Sequence, residues 1–549
     1  MPPWYPSQPY LSIPTLSATL KNHGYAVKQI DLNLEFYNFL LDKNELEYLF
    51  AQKHLFENDE HLYQLFALRE ILIDEIDAAK NVLRSDDLYI KKKYEYAIKI
   101  IELSLKAYTA FDGNISIFLD NINYNFNKYD IDEIKYYIDS KNIFIEFFSR
   151  LFKDIHSNFS FIGLSVTTSE QLIPSLVLAK YLRIKFPLVK LVFGGDLITR
   201  LKHIFSTPTL LTDYFDYCIY GYGEKAIVNF SQALEGKCSY DKVPNLIYKD
   251  GENIVVNPEE NIDMLSNPPP PDFEDLKLDK YFTPQVILPY EISKGCYWGK
   301  CTFCEITGLP FFVKDYNKVI DDLIFLKKKY NARVFTITDS AAPPAVIYKM
   351  SKYFKENNLN IYWSALVRTE SYFDSLKTKA LYDGGCRMVF IGFESGSQRI
   401  VDLMGKGTLV ESGKKVLNNF SDAHIWIHGY FMFGFPSETK SDIDKTIKFL
   451  SKNMSNFNSV GISTFILALN TPIDKNPGMY NINFETSKND TLQIHRNIKH
   501  DYFSIEEIFT NKLLELRNKK RNLNYYDMYH LNELLLLKIK NNGVIDGTG

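Results

Sequence analysis

The chain is poor in the features that would place it in several large classes. Its 549 residues hold six cysteines, too few for a disulfide scaffold. No stretch of about eighteen uninterrupted apolar residues occurs, which argues against a membrane-spanning helix. The start, MPPWYPSQPY, lacks the basic and apolar regions of a signal peptide, so a cytoplasmic location is expected. Lys plus Arg number 63 against 67 Asp plus Glu, a net charge of −4, without the broad basic surface that nucleic-acid binding draws on. There is neither an internal repeat nor a low-complexity tract. Length alone predicts at least two domains.

One scarcity is local. Residues 41–150 contain no proline and a single glycine, Gly113. Within them Leu65, Leu68, Leu72, Ile76, Ala79 and Leu83 recur at helical steps, as do Tyr94, Ala97, Ile98, Ile101 and Leu105. This predicts a helical insertion over about 42–150, in its simplest role a packed lid without chemistry. Around it, short β-rich runs begin at Tyr25 (YAVKQIDL), Phe159 (FSFIGLSV), Val189 (VKLVFGG) and Phe215 (FDYCIYG). They alternate with the helical stretches Ile13 to His23, SEQLIPSLVLAKYLRIKF and EKAIVNFSQAL, so residues 1–265 read as an open α/β sheet. The run LIYKDGENIVV reads as a hairpin turning near Asp250 and Gly251.

Four consecutive prolines in SNPPPPDFEDL mark a stiff linker at 266–284. Beyond it, strand-like runs begin at Val286, Val334, Ile361, Met388, Ile425 and Val460, each followed by helical sequence. Six such units over 285–489 suit a partial (β/α)6 barrel of the TIM type, whose active site lies at the carboxyl ends of the strands. A mostly helical, polar-rich extension is expected over 490–549.

Three of the six cysteines crowd into CYWGKCTFC, as Cys296, Cys301 and Cys304, directly after the first barrel strand. Zinc normally takes four ligands in closed pairs, and no histidine stands near, since His424 and His428 are distant in sequence. Three thiolates can instead hold three irons of a 4Fe-4S cube and leave the fourth open to a substrate or cofactor. Zinc with a remote fourth ligand and unligated thiols are the alternatives.

The cysteine run and its surroundings resemble the radical SAM superfamily, and within it the members with an amino-terminal cobalamin-binding domain. The resemblance covers roughly residues 159–475. It departs from the usual cysteine spacing, because four residues, Tyr297 to Lys300, separate the first pair. It implies that Cys296, Cys301 and Cys304 ligate a 4Fe-4S cluster, that S-adenosylmethionine chelates the open iron, and that reductive cleavage yields a 5′-deoxyadenosyl radical. Phe303 then occupies the position that packs near the adenine. Asp339, in TDSAAPP, stands where relatives contact the methionyl amine, or it caps the following helix. Arg368 matches a strand-end arginine that could pair with the methionyl carboxylate, or it lies on the surface.

The run GGCRMVFIGFESGSQRIVDLMGKG is a closer match. It places Glu394 and Ser395 where a carboxylate accepts hydrogen bonds from the ribose or the amine. In GYFMFGFPSET, Gly434 and Pro436 would admit the adenine beside Phe433, and Ser437 would cap the next helix. Asn470 interrupts the glycine-threonine-proline pattern of relatives, so no relative's substrate transfers.

The amino-terminal domain resembles a flavodoxin-like (Rossmann-like) corrinoid domain. There Ser165, in SVTTSEQ, and Gly194 and Gly195, in FGGDL, sit on loops that would face cobalamin, with YGYGEKA as a third. The alternative reading is turn glycines in a sheet whose ligand site has decayed. The histidine-containing DxHxxG signature is absent. The first strand of the flavodoxin-like order, expected between the strands near Tyr25 and Phe159, is also missing. Either the chain begins too late or the sheet has rearranged.

The leading expectation is a radical SAM methyltransferase acting at an unactivated carbon of a small-molecule or peptide substrate, reduced by a flavodoxin or ferredoxin. The competing ones are a radical SAM rearrangement, crosslink or oxidation with an idle corrinoid domain, and a non-catalytic iron-sulfur or zinc-binding interaction protein. Neither membrane nor nucleic acid is an expected partner.

Overall fold

A computed structural model of the chain describes residues 1–57, 59–156, 159–207, 213–260, 268–482, 492, 495–496 and 530–540. The chain divides into two compact units at Pro284 and Gln285. Among the described residues no helix is long and apolar enough to cross a membrane.

The first unit opens with helices α1 (Ser12–Asn22) and α2 (Leu32–Leu40), and the insertion follows. It comprises α3 (Lys43–Ala51), α4 (Glu60–Ala67), α5 (Arg69–Leu83), α6 (Lys91–Ala107), a hairpin β1 (Ile115–Ile117) and β2 (Ile122–Tyr124), then α7 (Ile131–Asp139) and α8 (Ile143–Leu151). Asp42, Asp59, Asp130 and Asn142 accept from backbone amides at four helix starts of the insertion, as Asp31 does at the start of α2, so Asp and Asn residues scattered through this proline-free stretch are its start signals. The apolar stripes face inward as expected: Leu72, Ile76, Ala79 and Leu83 on α5 are buried, as are Tyr94, Ala97, Ile101 and Leu105 on α6.

After the insertion come β3 (Phe161–Ser165), α9 (Leu172–Lys185), β4 (Lys190–Gly194), the short helices α10 (Asp196–Arg200) and α11 (Lys202–Phe205), β5 (Tyr217–Ile219), α12 (Glu224–Leu234), β6 (Leu246–Asp250) and β7 (Asn253–Val256). The sheet runs β3-β4-β5-β6-β7. Its first three strands are parallel, and β6 and β7 form the antiparallel hairpin with Gly251 at φ 58°. Phe230, Ala226 and Val192 anchor a core shared by α12 and the sheet, with Leu16 and Leu20 of α1 packed onto it. Helix α9 is buried nearly all round, as a helix enclosed between layers must be.

Two expectations fail in this unit. Residues 25–31 form no strand, and β3 is the edge of the sheet. The observed parallel strands are therefore three of the five in the flavodoxin-like order, and the run at Tyr25 has no ladder to join among the described strands. A strand's backbone groups need a partner, and without one an apolar run stays irregular however β-rich its residues. The backbone of 25–31 is not paired with 159–166; Gln29 is instead fixed by donating its backbone N–H to Asp275 Oδ2 at 3.3 Å and its side-chain amide to Asp272 O at 2.9 Å. The second failure is the stiff spacer. Residues 272–283 pack within the first unit: Phe273, Tyr281 and Phe282 are buried, Lys21 binds Asp272 at 2.6 Å, and Tyr281 donates to Asp31 at 2.5 Å.

The second unit is a six-stranded parallel sheet in sequential order, with a helix following each of its first five strands. Strand β8 (Ile287–Tyr290) leads into a small antiparallel pair, β9 (Ser293–Lys294) and β10 (Phe312–Val313), and then α13 (Tyr316–Tyr330). Next come β11 (Val334–Ile337), α14 (Pro344–Glu356), β12 (Tyr362–Val367), α15 (Ser375–Asp383), β13 (Cys386–Glu394), α16 (Gln398–Leu403), α17 (Val410–Asp422), β14 (Trp426–Phe433), α18 (Lys440–Asn453), β15 (Ser459–Thr464) and α19 (Pro472–Lys475). All six expected barrel strands are present. Of the extension expected from residue 490, helix α20 (Leu531–Lys540) is described in full, and most of the remainder lies outside the described residues.

Candidate active site

The cysteine loop is closed at its neck. Lys294 pairs with Phe312 and Ser293 with Val313. Gly295, at φ 75°, passes so close to Pro310 O that a Cβ would lie 2.4 Å from it. Asp339 sets the entry to this neck. It is 3% exposed at the end of β11, accepts from Ile292 N at 2.9 Å, and takes a short hydrogen bond from the Ser293 hydroxyl. Burial pushes its carboxyl up to about 7 against those two donors. Asp339 does not cap α14, whose N-cap position is Pro343 and which has no side-chain cap.

Within the loop, Cys304 N donates to Cys301 O at 3.3 Å and the Thr307 hydroxyl to the same carbonyl at 2.6 Å. All six cysteines are unbridged. The three loop thiols are partly buried and feel one another: burial pushes Cys304 up to about 11, with charge on Cys301 and Cys296 adding to the rise. Among the described residues no three His, Cys, Asp or Glu side chains converge on one ion. A 4Fe-4S cube with one open iron takes three cysteine thiolates, each on a different iron. Three thiols on one closed loop fit that donor set.

The four residues between Cys296 and Cys301 dock the loop onto the turn after α16. Trp298 donates its indole N–H to Gly405 O at 2.8 Å, and the ring fills the space beside Gly407, where a Cβ would lie 2.0 Å from it. Thr302 N donates to Met404 O at 2.9 Å and its hydroxyl to Leu403 O at 3.1 Å. The lengthened spacing thus lets Trp298 reach the MGKG segment.

Arg368 is 6% exposed and not a surface residue. Its Nε donates to Glu370 at 2.9 Å and Nη2 to Lys406 O at 2.5 Å, while the guanidinium lies 4.8 Å from the Trp298 ring centroid. These partners commit it to the cysteine loop. Glu394 ends β13 at a register shift with φ 63°, a conformation uncommon outside glycine that is often held at functional sites. It accepts from Lys406 Nζ at 2.9 Å, and both side chains are nearly buried. Ser395 turns away to Thr446 at 3.0 Å and accepts from Ser397 N at 3.1 Å, tying β13 to α18.

At the end of β14, Phe433 is buried and Gly434 has φ 78°. Gly434 N donates to Glu438 Oε2 at 2.6 Å, so this amide is already engaged; burial pushes Glu438 up to about 7, and its Oε1 has no partner among the described residues. The expected cap at Ser437 is displaced: Thr439 caps α18 in a capping box with Asp442, and Ser437 takes φ 68° in the turn that Pro436 opens. Phe303 packs with Met404, Phe435 and Phe465, joining the cysteine loop to that turn.

Three further residues emerge from the structure. Lys406 and Glu370 are the ionic partners of Glu394 and Arg368. The third, His428, shares a sheet face with Phe390, Tyr430 and Ser459, opposite the stacked Phe393 and Phe431 that meet Phe449 of α18. Burial lowers its pKa to about 4, so it is neutral near pH 7, with Nδ1 2.8 Å from Ser459 Oγ. Lys406 lies in the turn after α16, Glu370 just beyond β12 and His428 on β14, none within a spacing motif, so the sequence carried no signal beyond the residue type.

In the first unit, Ser165 contacts the Ser12 hydroxyl at 2.8 Å and lines a recess with Trp4, Tyr10, Asp31 and Gln171. Gly194 and Gly195 leave little open space. A Cβ on Gly195 would lie 2.3 Å from Val166 O, and one on Gly194 3.3 Å from Ile219 O. Their close approach is to the chain's own backbone.

Residues 290–450 match the Radical SAM superfamily, and that match implies a 4Fe-4S cluster and S-adenosylmethionine as cofactors. An uncharacterized methyltransferase of Pyrococcus horikoshii is 27% identical over 311 residues, 53% of this chain and 64% of that protein. The fold is similar to that of the cobalamin-dependent S-adenosylmethionine radical enzyme OxsB with aqua-cobalamin bound, at TM-score 0.56 and 15% identity over 74% of this chain and 65% of that one. It is also similar to the radical S-adenosylmethionine methyltransferase TsrM from Kitasatospora setae, at TM-score 0.52 and 14% identity, covering 71% and 83%. The chain spans a little under two thirds of the curated relative's length.

Proposed function

We propose that the chain is a radical SAM enzyme in which Cys296, Cys301 and Cys304 hold the 4Fe-4S cluster and the reaction is a cobalamin-dependent methyl transfer to an unactivated carbon. The observation that carries the first part is the closed loop of three thiols at the carboxyl end of β8, inside the stretch that matches the superfamily. When bound, the cluster supplies one electron that cleaves the sulfonium of S-adenosylmethionine to methionine and a 5′-deoxyadenosyl radical. The chain's residues do the rest: Trp298 and Thr302 fix the loop, Phe303 gives it an apolar flank, and Glu394 offers a carboxylate at the end of β13. Buried Phe433 and Phe435 exclude water from the turn beyond β14. Names of similar proteins support methyl transfer, and a flavodoxin or ferredoxin is the proposed electron donor.

A second reading keeps the radical chemistry and leaves the corrinoid domain idle. It is favoured by Gly194 and Gly195, whose space is taken by the chain itself, and by the open edge of β3. Anaerobic reconstitution followed by assay for 5′-deoxyadenosine and S-adenosylhomocysteine tests both, with corrinoid absorbance separating them. Cys301→Ala should abolish both the 4Fe-4S absorption and 5′-deoxyadenosine formation; a full 4Fe-4S signal in that variant overturns the ligand set.

A further inference from the structure

Arg368 carries more contacts to the cysteine loop than a positioning role for S-adenosylmethionine requires. Its guanidinium lies over two side chains of that loop, 4.8 Å from the Trp298 centroid and 6.0 Å from that of Tyr297. Two of its nitrogens are fixed by Glu370 and Lys406 O. The second nearby cation, Lys406, is neutralised by Glu394 at 2.9 Å, whereas Glu370, which balances Arg368, keeps 27% of its side chain exposed. Water screens the partner of Arg368 more than Arg368 itself.

We propose that Arg368 tunes the reduction potential of the cluster by placing a fixed, buried positive charge against Tyr297 and Trp298, in the stretch between Cys296 and Cys301. This rests on the cysteines holding a 4Fe-4S cluster. Potentials of such clusters follow net charge, hydrogen bonds to the sulfurs and solvent exposure, and Arg368 acts through the first of these. The step is the entry of one electron, taking the cluster from the 2+ to the 1+ state while the external reductant is oxidised; no bond forms or breaks. A buried cation favours the more negative reduced state.

The test is a dithionite redox titration of the reconstituted full chain, followed by the electron paramagnetic resonance of the reduced cluster, without substrate. At the poise where the wild-type cluster is half reduced, Arg368→Ala should lower the ratio of reduced to oxidised cluster about tenfold, equivalent to about 59 mV for one electron. Arg368→Lys should fall between, since lysine keeps the charge and loses the planar stack. Glu370→Gln should shift the potential the other way, leaving Arg368 unbalanced. Wild-type potentials in Arg368→Ala and Glu370→Gln with intact 4Fe-4S content overturn the proposal. If Arg368→Ala holds no cluster, Glu370→Gln decides, an upward shift supporting tuning and an unchanged potential excluding it. Should the wild type itself assemble no 4Fe-4S cluster, the ligand assignment fails first, and the tuning role falls with it.

Discussion

Gly195, after β4, and Gly407, after α16, both adopt positive φ, and both would bring an added Cβ within 2.3 Å of another atom. What fills the space differs. At Gly195 it is Val166 O, part of the backbone that joins β3 to the next loop. At Gly407 it is the indole of Trp298, from a loop more than a hundred residues earlier. The first glycine lets two neighbouring strand ends close on each other, while the second lets a distant functional loop dock. Glycine at the end of a strand unit signals close approach, and only the partner distinguishes architecture from a site.

Gly195→Ala should therefore have the largest effect on folding. Backbone cannot swing aside as a side chain can, and alanine also disfavours φ 108°, so a loss of about 3 kcal/mol is expected from overpacking and strain together. Denaturant unfolding followed by circular dichroism checks it, and a loss below half that value would mean the β3–β4 corner is compliant. Gly407→Ala should cost less stability, because Trp298 can rotate out, but it breaks the indole bond to Gly405 O and the stack under Arg368. Its expected signature is a several-fold fall in iron and sulfide bound after reconstitution, with unfolding shifted by about 1 kcal/mol. Equal cluster loading in wild type and variant would show that the loop does not depend on this docking.

The same contrast explains what the sequence made legible. The strands of the second unit were readable because each pairs with its neighbour in chain order, so the apolar runs at Val334, Ile361 and Met388 needed no remote information. The run at Tyr25 also read as a short β-rich segment and formed no strand, because pairing is a property of two segments and its partner is not among the described strands. The three cysteines announced themselves by spacing. Lys406 and Glu370 did not: their meaning comes from ion pairs with Glu394 and Arg368, and a lone lysine in MGKG or a glutamate after Thr369 reads as surface. Arg368 was visible as a strand-end arginine, yet its partner Trp298 is 70 positions away, and no periodicity links them.

The smallest expected effect concerns the neck of the cysteine loop, where Asp339 has no equivalent among the hydroxyl contacts of Ser165 in the first unit. Its carboxyl is held up to about 7 by burial, well above the unfolded value near 3.9. Between those two values the folded state binds the proton more tightly than the unfolded chain. Stability therefore falls as pH rises through this window, the reverse of a salt-bridged carboxylate. From pH 5 to pH 7 the loss should be about 2 kcal/mol for this group. Glu291 also faces Asp339 and steepens the trend when ionised, while the Ser293 hydroxyl and the Ile292 amide oppose it. Asp339→Asn keeps an acceptor for Ile292 N and removes the titration, so its unfolding free energy should vary less over the same window than that of the wild type. Parallel pH profiles for the two proteins would show that the bonds to Ile292 and Ser293 already hold Asp339 ionised, and the cysteine-loop neck would then be an ordinary charged turn.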